Sequence, residues 1–371
     1  QAREVKEGVY SFQVGPTHYR GLWMADGYFI LESAHLLGRY EEGFSGILAV
    51  LRHVRPDDGI MIMSVHEKET GIAIATLVRQ CELMNDDDRI RELWPLICRA
   101  HGYIRKLREK ADALGDAYPA RGLFPPTFGD GGIYGPEPEY TTPAWILFGL
   151  KAAYEAGRRL GLPGHEEIGK TFDSIRSAFY SAVRRDTKYT DQGIPYFPMS
   201  MRDTGQYQPQ TGTWALAQSI APGEVFAPDE PLVTDFLNLL DSIDNEEGIP
   251  ENTGWLTHDA VWGYSSMFYG QVWLYGGNGE KAADYLYAFA NHASKGRCWR
   301  EEQALKGRQS SAIWGDMPHN WGSAEFIRLA RNLIVLEKQD NLELLCGLPD
   351  EWLPTEEARL YLEDTDRKSV V

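Results

Sequence analysis

One stretch of sequence carries the pattern that decides the fold: RGLFPPTFGDGGIYGPEPEYTTPAWILFGL, residues 121–150. It begins with a Gly- and Pro-rich turn, continues through a polar and aromatic loop, and ends in a helix that is apolar around most of its circumference. A helix that is apolar on all sides must be buried. The same order of turn, loop and apolar helix occurs six times, at residues 10–37, 58–79, 121–150, 192–220, 247–274 and 296–329.

The helices between these repeats are of a different kind. Residues 165–185 place apolar side chains along one stripe and charged side chains opposite; the stripe contains Ile168, Phe172, Ile175, Phe179 and Val183. Such a stripe indicates a helix with one face in solvent. Buried helices that alternate with amphipathic ones predict an all-α fold, an (α/α)6 barrel in which six inner helices lie inside an outer ring. No strand pattern interrupts the helices before residue 340.

The C-terminal region reads differently from the rest. After Leu345 the sequence continues as CGLPDEWLP and then as the alternating ARLYLED, which is typical of a short strand. We therefore predict a barrel domain over residues 1–340 and a strand-like tail over 341–371. The tail is expected to begin a β-rich domain that this chain does not complete.

Composition narrows the range of partners. The 371 residues include 54 acidic and 37 basic side chains, for a net charge of −17. This balance disfavours nucleic acid and anionic membrane surfaces, and no apolar run is long enough to insert into a membrane. The composition indicates a soluble protein without distinguishing the cytoplasm from the periplasm or the exterior. Because no His or Cys cluster has ligand spacing and no dinucleotide fingerprint follows a strand, we expect neither metal nor cofactor.

In an (α/α)6 barrel, the loops that lead into the inner helices converge on one mouth. Here these loops are rich in aromatic residues and in carboxylates, among them Glu139, Glu251, Glu301, Glu302 and Asp316. Aromatic rings suit partners that are half apolar, such as sugars. Hydrolysis of a glycosidic bond needs one carboxylic acid for the leaving oxygen and one carboxylate for water or direct attack. The loops therefore favour acid–base chemistry on a sugar.

The layout and its motifs resemble the six-hairpin glycosidases, the superfamily of glucoamylases, α-L-rhamnosidases and unsaturated glucuronyl hydrolases, over residues 10–337. The segment Trp23-Met-Ala-Asp26 is similar to the Trp-x-Arg-Asp motif with which glucoamylase-type enzymes hold the hydroxyls of the terminal sugar. Ala25 stands where the family has Arg, so that contact is lost or supplied by Arg20.

The resemblance implies a general acid before the third inner helix, at Glu139 in EPEYTTPAW, and a base before the sixth. The glucoamylase-like pattern gives the base as Glu302, in a Glu-Gln pair upstream of Trp. The rhamnosidase-like Thr-Ile-Trp-Glu element resembles SAIWGD and instead gives Asp316. Glu251, in the fifth loop, is the reserve candidate. The predicted sugar-binding residues are His18, Arg20, Trp23, Asp26, Tyr140, Trp255, His258, Trp314, His319 and Trp321.

The resemblance and the loops together predict a glycoside hydrolase that takes a terminal sugar from an oligo- or polysaccharide. The sugar is expected to be a uronic acid or a rhamnose-like deoxy-sugar, and the reaction is expected to invert the anomeric centre. A polysaccharide lyase with a Tyr or His base is the alternative, and a non-catalytic sugar-binding or epimerase-type barrel is a third reading. The product distinguishes the first two, because a lyase leaves a conjugated double bond.

Overall fold

The computed structural model describes residues 3–6, 9–130, 133–202, 213–243, 247–253, 260–304, 315–353 and 355. This part of the chain contains eleven α-helices: α1 (Met24–Leu36), α2 (Tyr40–Leu51), α3 (Lys68–Leu83), α4 (Asp87–Asp112), α5 (Thr141–Leu160), α6 (His165–Asp186), α7 (Thr213–Ile220), α8 (Pro231–Ile243), α9 (Ser265–Tyr275), α10 (Gly279–Asn291) and α11 (Asn320–Asn332). None of the helices in this part is long and apolar enough to cross a membrane.

The odd-numbered helices form a closed inner ring. Each of α1, α3, α5, α7, α9 and α11 packs against the next, and α11 packs back against α1. Even-numbered helices lie outside them, as in the α1–α2, α3–α4, α5–α6 and α9–α10 pairs. The predicted all-α (α/α)6 barrel is confirmed. In the described residues, however, the sixth inner helix is followed by a strand hairpin rather than by an outer helix.

Helices α3 and α5 pack closely enough for their backbones to touch. In α5, Trp145, Ile146 and Leu147 are fully buried, as the apolar run predicts. A Cβ atom added at Gly149 would lie 2.1 Å from the carbonyl oxygen of Gly71 in α3. Glycine is required here because any side chain would push α3 and α5 apart.

In the part of the chain that the structure describes, ten short strands lie between and beyond the helices: β1 (Arg3–Lys6), β2 (Val9–Phe12), β3 (Thr127–Asp130), β4 (Ile133–Glu137), β5 (Lys188–Tyr189), β6 (Pro195–Tyr196), β7 (Val261–Trp262), β8 (Glu302–Gln303), β9 (Val335–Lys338) and β10 (Asn341–Leu344). They pair as five antiparallel two-stranded sheets. The prediction that no strand precedes residue 340 is therefore wrong. Long loops must satisfy their own backbone groups, and pairing does so.

The C-terminal end of the barrel is a strand hairpin. Helix α11 ends at Asn332, Ile334 lies in a turn, and Leu336 lies in β9. The β9–β10 hairpin pairs residues on both sides of the predicted boundary at residue 340. The ARLYLED segment lies outside the described residues.

A buried network of charges lies in the C-terminal halves of α1, α3 and α11. Arg328 of α11 donates to Glu32 of α1 and, at 2.8 Å, to Glu325. Arg79 of α3 lies 2.6 Å from Glu32 and also pairs with Glu337 of β9 at 2.8 Å. Burial raises the pKa of Glu32, but the opposite effect of Arg328 and Arg79 is larger. The net result is a pKa of about 2. The network ties the first, second and sixth hairpins together away from the loops.

Candidate active site

The first three loops that lead into inner helices meet in ring order. The ring of Trp23, in the first loop, lies 6.1 Å from that of His66 in the second. His66 stacks on Phe128 of the third loop at 4.8 Å, and the Phe128 amide donates to the Val65 carbonyl at 3.0 Å. These contacts place three successive loops on one face of the barrel.

The remaining described contacts complete the same face. The Tyr140 amide of the third loop donates to the Met199 carbonyl of the fourth at 3.0 Å. Strands β7 and β8 pair the fifth loop with the sixth. Asp316 of the sixth loop accepts from the Thr17 amide of the first at 2.6 Å. The prediction that the loops share one mouth is confirmed by these contacts.

Six aromatic side chains form a closed circle inside the ring of helices. Neighbouring ring centroids lie between 4.6 and 6.3 Å apart, in the order Phe29, Trp145, Trp214, Trp262, Tyr264, Trp321 and back to Phe29. Trp321 stacks on Phe29 and on Tyr264, and its indole N–H donates to Glu325 at 2.9 Å. Phe29 and Tyr264 cover the two faces of Trp321, so Trp321 is not part of the proposed sugar site.

His319 lies at the junction of the first and sixth loops, between two carboxylates. Its Nε2 is 3.7 Å from Asp26 Oδ1 and 3.9 Å from Glu301 Oε2. The separation between Asp26 Oδ1 and Glu301 Oε2 therefore cannot exceed the sum of these two distances. His319 is buried, and its ring stacks on Tyr264 at 4.6 Å with an interplanar angle of 4°. We call Asp26, Glu301 and His319 the mouth cluster.

The hydrogen bond made by Nδ1 determines which nitrogen of His319 carries the proton. Nδ1 accepts a hydrogen bond from the Gly322 amide at 3.3 Å, which caps α11. A backbone N–H can only donate, so the neutral ring must carry its proton on Nε2. Burial lowers the pKa of His319 to about 3, although Asp316 raises it. At neutral pH, His319 therefore presents an uncharged N–H donor between Asp26 and Glu301.

Two adjacent glutamates precede the last inner helix, and they occupy different positions. Glu301 lies beside His319, in a space kept open by Gly315, where an added Cβ would lie 2.2 Å from Glu301 Oε2. Gly315 also has a φ of 87°, which favours glycine. Glu302 lies opposite Trp262 in the β7–β8 ladder and is fully buried. Successive residues of an extended segment point to opposite sides, so Glu301 is the one beside His319.

Asp316, the other predicted base, is held by the first loop. It accepts hydrogen bonds from the amides of Thr17, His18 and Tyr19 at 2.6, 2.9 and 2.6 Å, and from the Thr17 hydroxyl. Burial raises the pKa of Asp316, but these hydrogen bonds lower it more, so the net shift is downward. Its contacts indicate a carboxylate that fixes the first loop against the sixth.

Glu139, the predicted acid, is buried at the N-terminus of α5. It accepts from the Thr127 hydroxyl at 2.7 Å, from the Thr142 amide at 3.0 Å, and from both the amide and the hydroxyl of Thr141. Glu137 lies two residues earlier, on β4, and is half-buried, with the Ser200 hydroxyl donating to it at 3.1 Å. Glu137 belongs to the same EPEYTTPAW segment but is not among the residues that the sequence predicts for the site.

The other predicted residues are dispersed. His18 and Arg20 are exposed on the first loop, and Trp23 is half-buried near the mouth. Tyr140 donates its hydroxyl to Asp186 at 2.6 Å, and burial raises its pKa well above the usual range, so it packs away from the mouth cluster.

Glu251, in the fifth loop, is half-buried, and the Asn252 amide group lies 3.4 Å from its carboxylate. Trp255, His258 and Trp314 lie outside the described residues. Within the described part of the chain, no group of three or more His, Cys, Asp or Glu could hold a metal ion. Catalysis without a metal stays a prediction.

No family model matches the sequence, and no curated protein matches it. Solved structures do match. A glycosidase variant in complex with glucose has a TM-score of 0.65 at 14% identity, over 87% of this chain and 91% of that chain. The chain has the fold of the six-hairpin glycosidases.

Two further neighbours of this fold bind different sugars. A rhamnosidase from Klebsiella oxytoca with rhamnose bound has a TM-score of 0.61 at 14% identity, over 87% of this chain and 60% of that chain. A metal-independent α-mannosidase of Streptococcus pneumoniae, in a non-productive complex with α-1,6-mannobiose, has a TM-score of 0.62 at 8% identity, over 89% and 90%. At such identities the likeness establishes the fold.

Proposed function

We propose that this chain is a glycoside hydrolase that removes a terminal sugar from an oligosaccharide or polysaccharide. The observation that carries the proposal is the placement of His319 Nε2 between Asp26 and Glu301, at 3.7 and 3.9 Å, on the loop face of this fold. A neutral donor flanked by carboxylates suits the binding of sugar hydroxyls and the activation of water. The glycosidase neighbours support the reaction class.

The proposed base is Glu301, in place of its neighbour Glu302, because Glu301 is the glutamate beside His319. The acid is proposed to come from the third loop, which precedes α5. In a ring of six inner helices, α5 and α11 are the third and the sixth, so their loops face each other across the mouth. This opposition suits two carboxylates that flank a scissile bond, and it favours inversion, which needs about 6.5–9.5 Å between them.

Two residues of the third loop compete for the acid role. Glu139 is the residue that the resemblance implies, but its oxygens already accept hydrogen bonds from three threonines. Glu137 is half-buried and projects from β4 at the same mouth. A general acid must reach the leaving oxygen within hydrogen-bond distance, so Glu137 joins Glu139 as a candidate.

The charge of the mouth cluster bears on the substrate. Asp26 and Glu301 are acidic, whereas His319 is uncharged at neutral pH because burial lowers its pKa to about 3. A uronate carboxylate placed against this cluster would be repelled. Of the two sugars that the sequence suggests, we therefore propose the neutral, rhamnose-like one, taken from a chain end.

The test is hydrolysis of a panel of neutral and uronic aryl glycosides by the parent chain and by five variants: Glu137→Gln, Glu139→Gln, Glu301→Gln, Glu302→Gln and Asp316→Asn. Loss of the base should lower kcat by about a thousandfold or more for every leaving group. Loss of the acid should lower kcat less on a substrate with an activated nitrophenyl leaving group, because that group departs without being protonated. Glu302→Gln is the matched control for Glu301→Gln.

Two outcomes would refute the proposal. If the parent chain cleaves a glycoside and all of these variants retain its rate, the two-carboxylate mechanism is wrong. If the products absorb as conjugated unsaturated uronates, the chain is a lyase. Proton NMR of the first-formed sugar reports whether the anomeric centre is inverted.

A further inference from the structure

His319 is the outer member of a stack of rings that reaches into the core. Tyr264 covers one face of His319 at 4.6 Å and 4°. Trp321 covers Tyr264 at 4.6 Å and 26°, and Phe29 covers Trp321 at 5.1 Å and 4°. Arg328, of the buried charge network, lies over Phe29 at 4.7 Å. The imidazole is thus supported by side chains from α1, α11 and the start of α9.

The charges around His319 favour its protonated form. Asp26 faces it from α1, Glu301 from the segment before β8, and Asp316 from its own loop. Nearby carboxylates raise the pKa of a histidine. Burial nevertheless lowers the pKa of His319 to about 3. Exclusion of water must therefore outweigh the carboxylates.

Tyr264 is the side chain stacked directly on the imidazole. It is buried, and burial together with the charges of Glu301 and Asp26 raises its pKa well above the usual range, so the phenol stays protonated. An uncharged aromatic ring at van der Waals distance excludes water from one whole face of His319. A flexible aliphatic side chain at the same position would not cover that face.

We propose that Tyr264 is a positioning residue, which keeps His319 neutral by covering it and so keeps the Nε2–H available to both Asp26 and Glu301. An imidazolium in this place would pair with Glu301 and weaken it as a base. The consequence for catalysis rests on the proposed glycosidase function. The state of His319 itself does not, and it can be measured separately.

The first measurement is ¹⁵N NMR of the histidine rings in the full chain, with the His319 signals assigned by their loss in His319→Gln. In the parent, His319 should show the Nε2–H tautomer and should not titrate between about pH 5 and 8. Tyr264→Leu should let water reach the ring, so His319 should titrate within that range. Tyr264→Phe is the matched control, because it keeps the ring and should keep the parent spectrum.

The second measurement is the pH profile of kcat/KM on a glycoside that the parent cleaves. Tyr264→Leu should lose activity by about tenfold or more between pH 8 and pH 6, as His319 becomes charged. Tyr264→Phe should follow the parent profile. Circular dichroism checks that each variant folds, and Tyr264→Met, which is also flexible and aliphatic, replaces Tyr264→Leu if the latter does not.

A His319 that titrates between pH 5 and 8 in the parent, or that carries its proton on Nδ1, would overturn the proposal. So would identical His319 spectra in Tyr264→Phe and Tyr264→Leu. If the spectra are as expected but no glycoside is cleaved, the proposed hydrolase function fails and the role of Tyr264 stands. A merely structural Tyr264 would change stability without changing the His319 titration.

Discussion

Replacing Arg328 by Met should destabilise the barrel more than replacement of any exposed arginine. Arg328 is 2% exposed, donates to Glu32 and Glu325, and lies over the ring of Phe29 at 4.7 Å. Met has a similar length and stays apolar, so the variant removes the charge with little loss of volume. What remains is two buried carboxylates without their shared partner.

The magnitude follows from two routes. Breaking a buried ion pair by removing one partner costs about 3–5 kcal/mol. The pKa of Glu32 falls from 4.5 to about 2 in the folded state, and at about 1.4 kcal/mol for each pKa unit this corresponds to roughly 3 kcal/mol of stability. The second estimate includes the effect of Arg79, so it is an upper limit for the effect of Arg328 on Glu32 and lies at the lower end of the first estimate.

The assay is urea unfolding at pH 7, with Arg91→Met as the control. The Arg91 side chain is 48% exposed and pairs with Asp88 on the surface of α4, where a pair is worth at most about 1 kcal/mol. We expect Arg328→Met to lower the free energy of unfolding by at least about 3 kcal/mol. A loss equal to that of the control would refute the argument that the network stabilises the ring.

The same variant should change the pH dependence of stability. Because the pKa of Glu32 is lower in the folded state, its contribution is present above about pH 4.5 and is lost as the pH falls towards 2. Arg328→Met removes the main cause of that shift, so the decline of the free energy of unfolding between pH 5 and 2 should become shallower. A decline as steep as in the parent would contradict this assignment.

The helical ring could be predicted from the sequence because burial on all sides leaves a clear signature. Residues 145–150 are apolar at every position except Gly149, and helix α5 contains them all. The ion network could not be predicted in the same way. Arg79, Glu32 and Arg328 stand in three different inner helices, and their pairing joins residues up to 296 positions apart. A local sequence pattern cannot indicate such a pairing.

The site was predicted less completely than the fold, for a reason of local geometry. The sequence identifies two adjacent glutamates before the last inner helix but not which of them points inward. That choice depends on the register of β7 with β8 and on the left-handed backbone of Gly315. Asp316 fits a catalytic pattern equally well, yet its hydrogen bonds go to the Thr17 loop.

Three further outcomes are expected. Gly149→Ala should lower the free energy of unfolding by about 1–3 kcal/mol, because the added Cβ would clash with Gly71. Gly102→Ala, in an open part of α4, should raise the free energy of unfolding by about 0.5–1 kcal/mol. Urea unfolding measures both changes. Asp316→Asn should lower the free energy of unfolding by about 1–3 kcal/mol at pH 7. Because the hydrogen bonds of Asp316 lower its pKa, this difference from the parent should shrink as the pH falls through and below about 3.8. Glycosidase activity should survive dialysis against a chelator, and loss with recovery on adding a divalent ion would contradict the metal-free mechanism.

The aromatic circle explains how a mainly apolar ring can hold a polar mouth cluster in place. Phe29 contacts Arg328 on the side of the buried charges, and its neighbour Trp321 contacts Tyr264, on which His319 lies. Stacked rings have few rotamers, so they fix the direction of the groups attached to them. Burial of these aromatic side chains stabilises the circle of inner helices. The same packing determines the direction in which the His319 Nε2–H points. Substitutions in the circle should therefore be judged by the state of His319 as well as by stability.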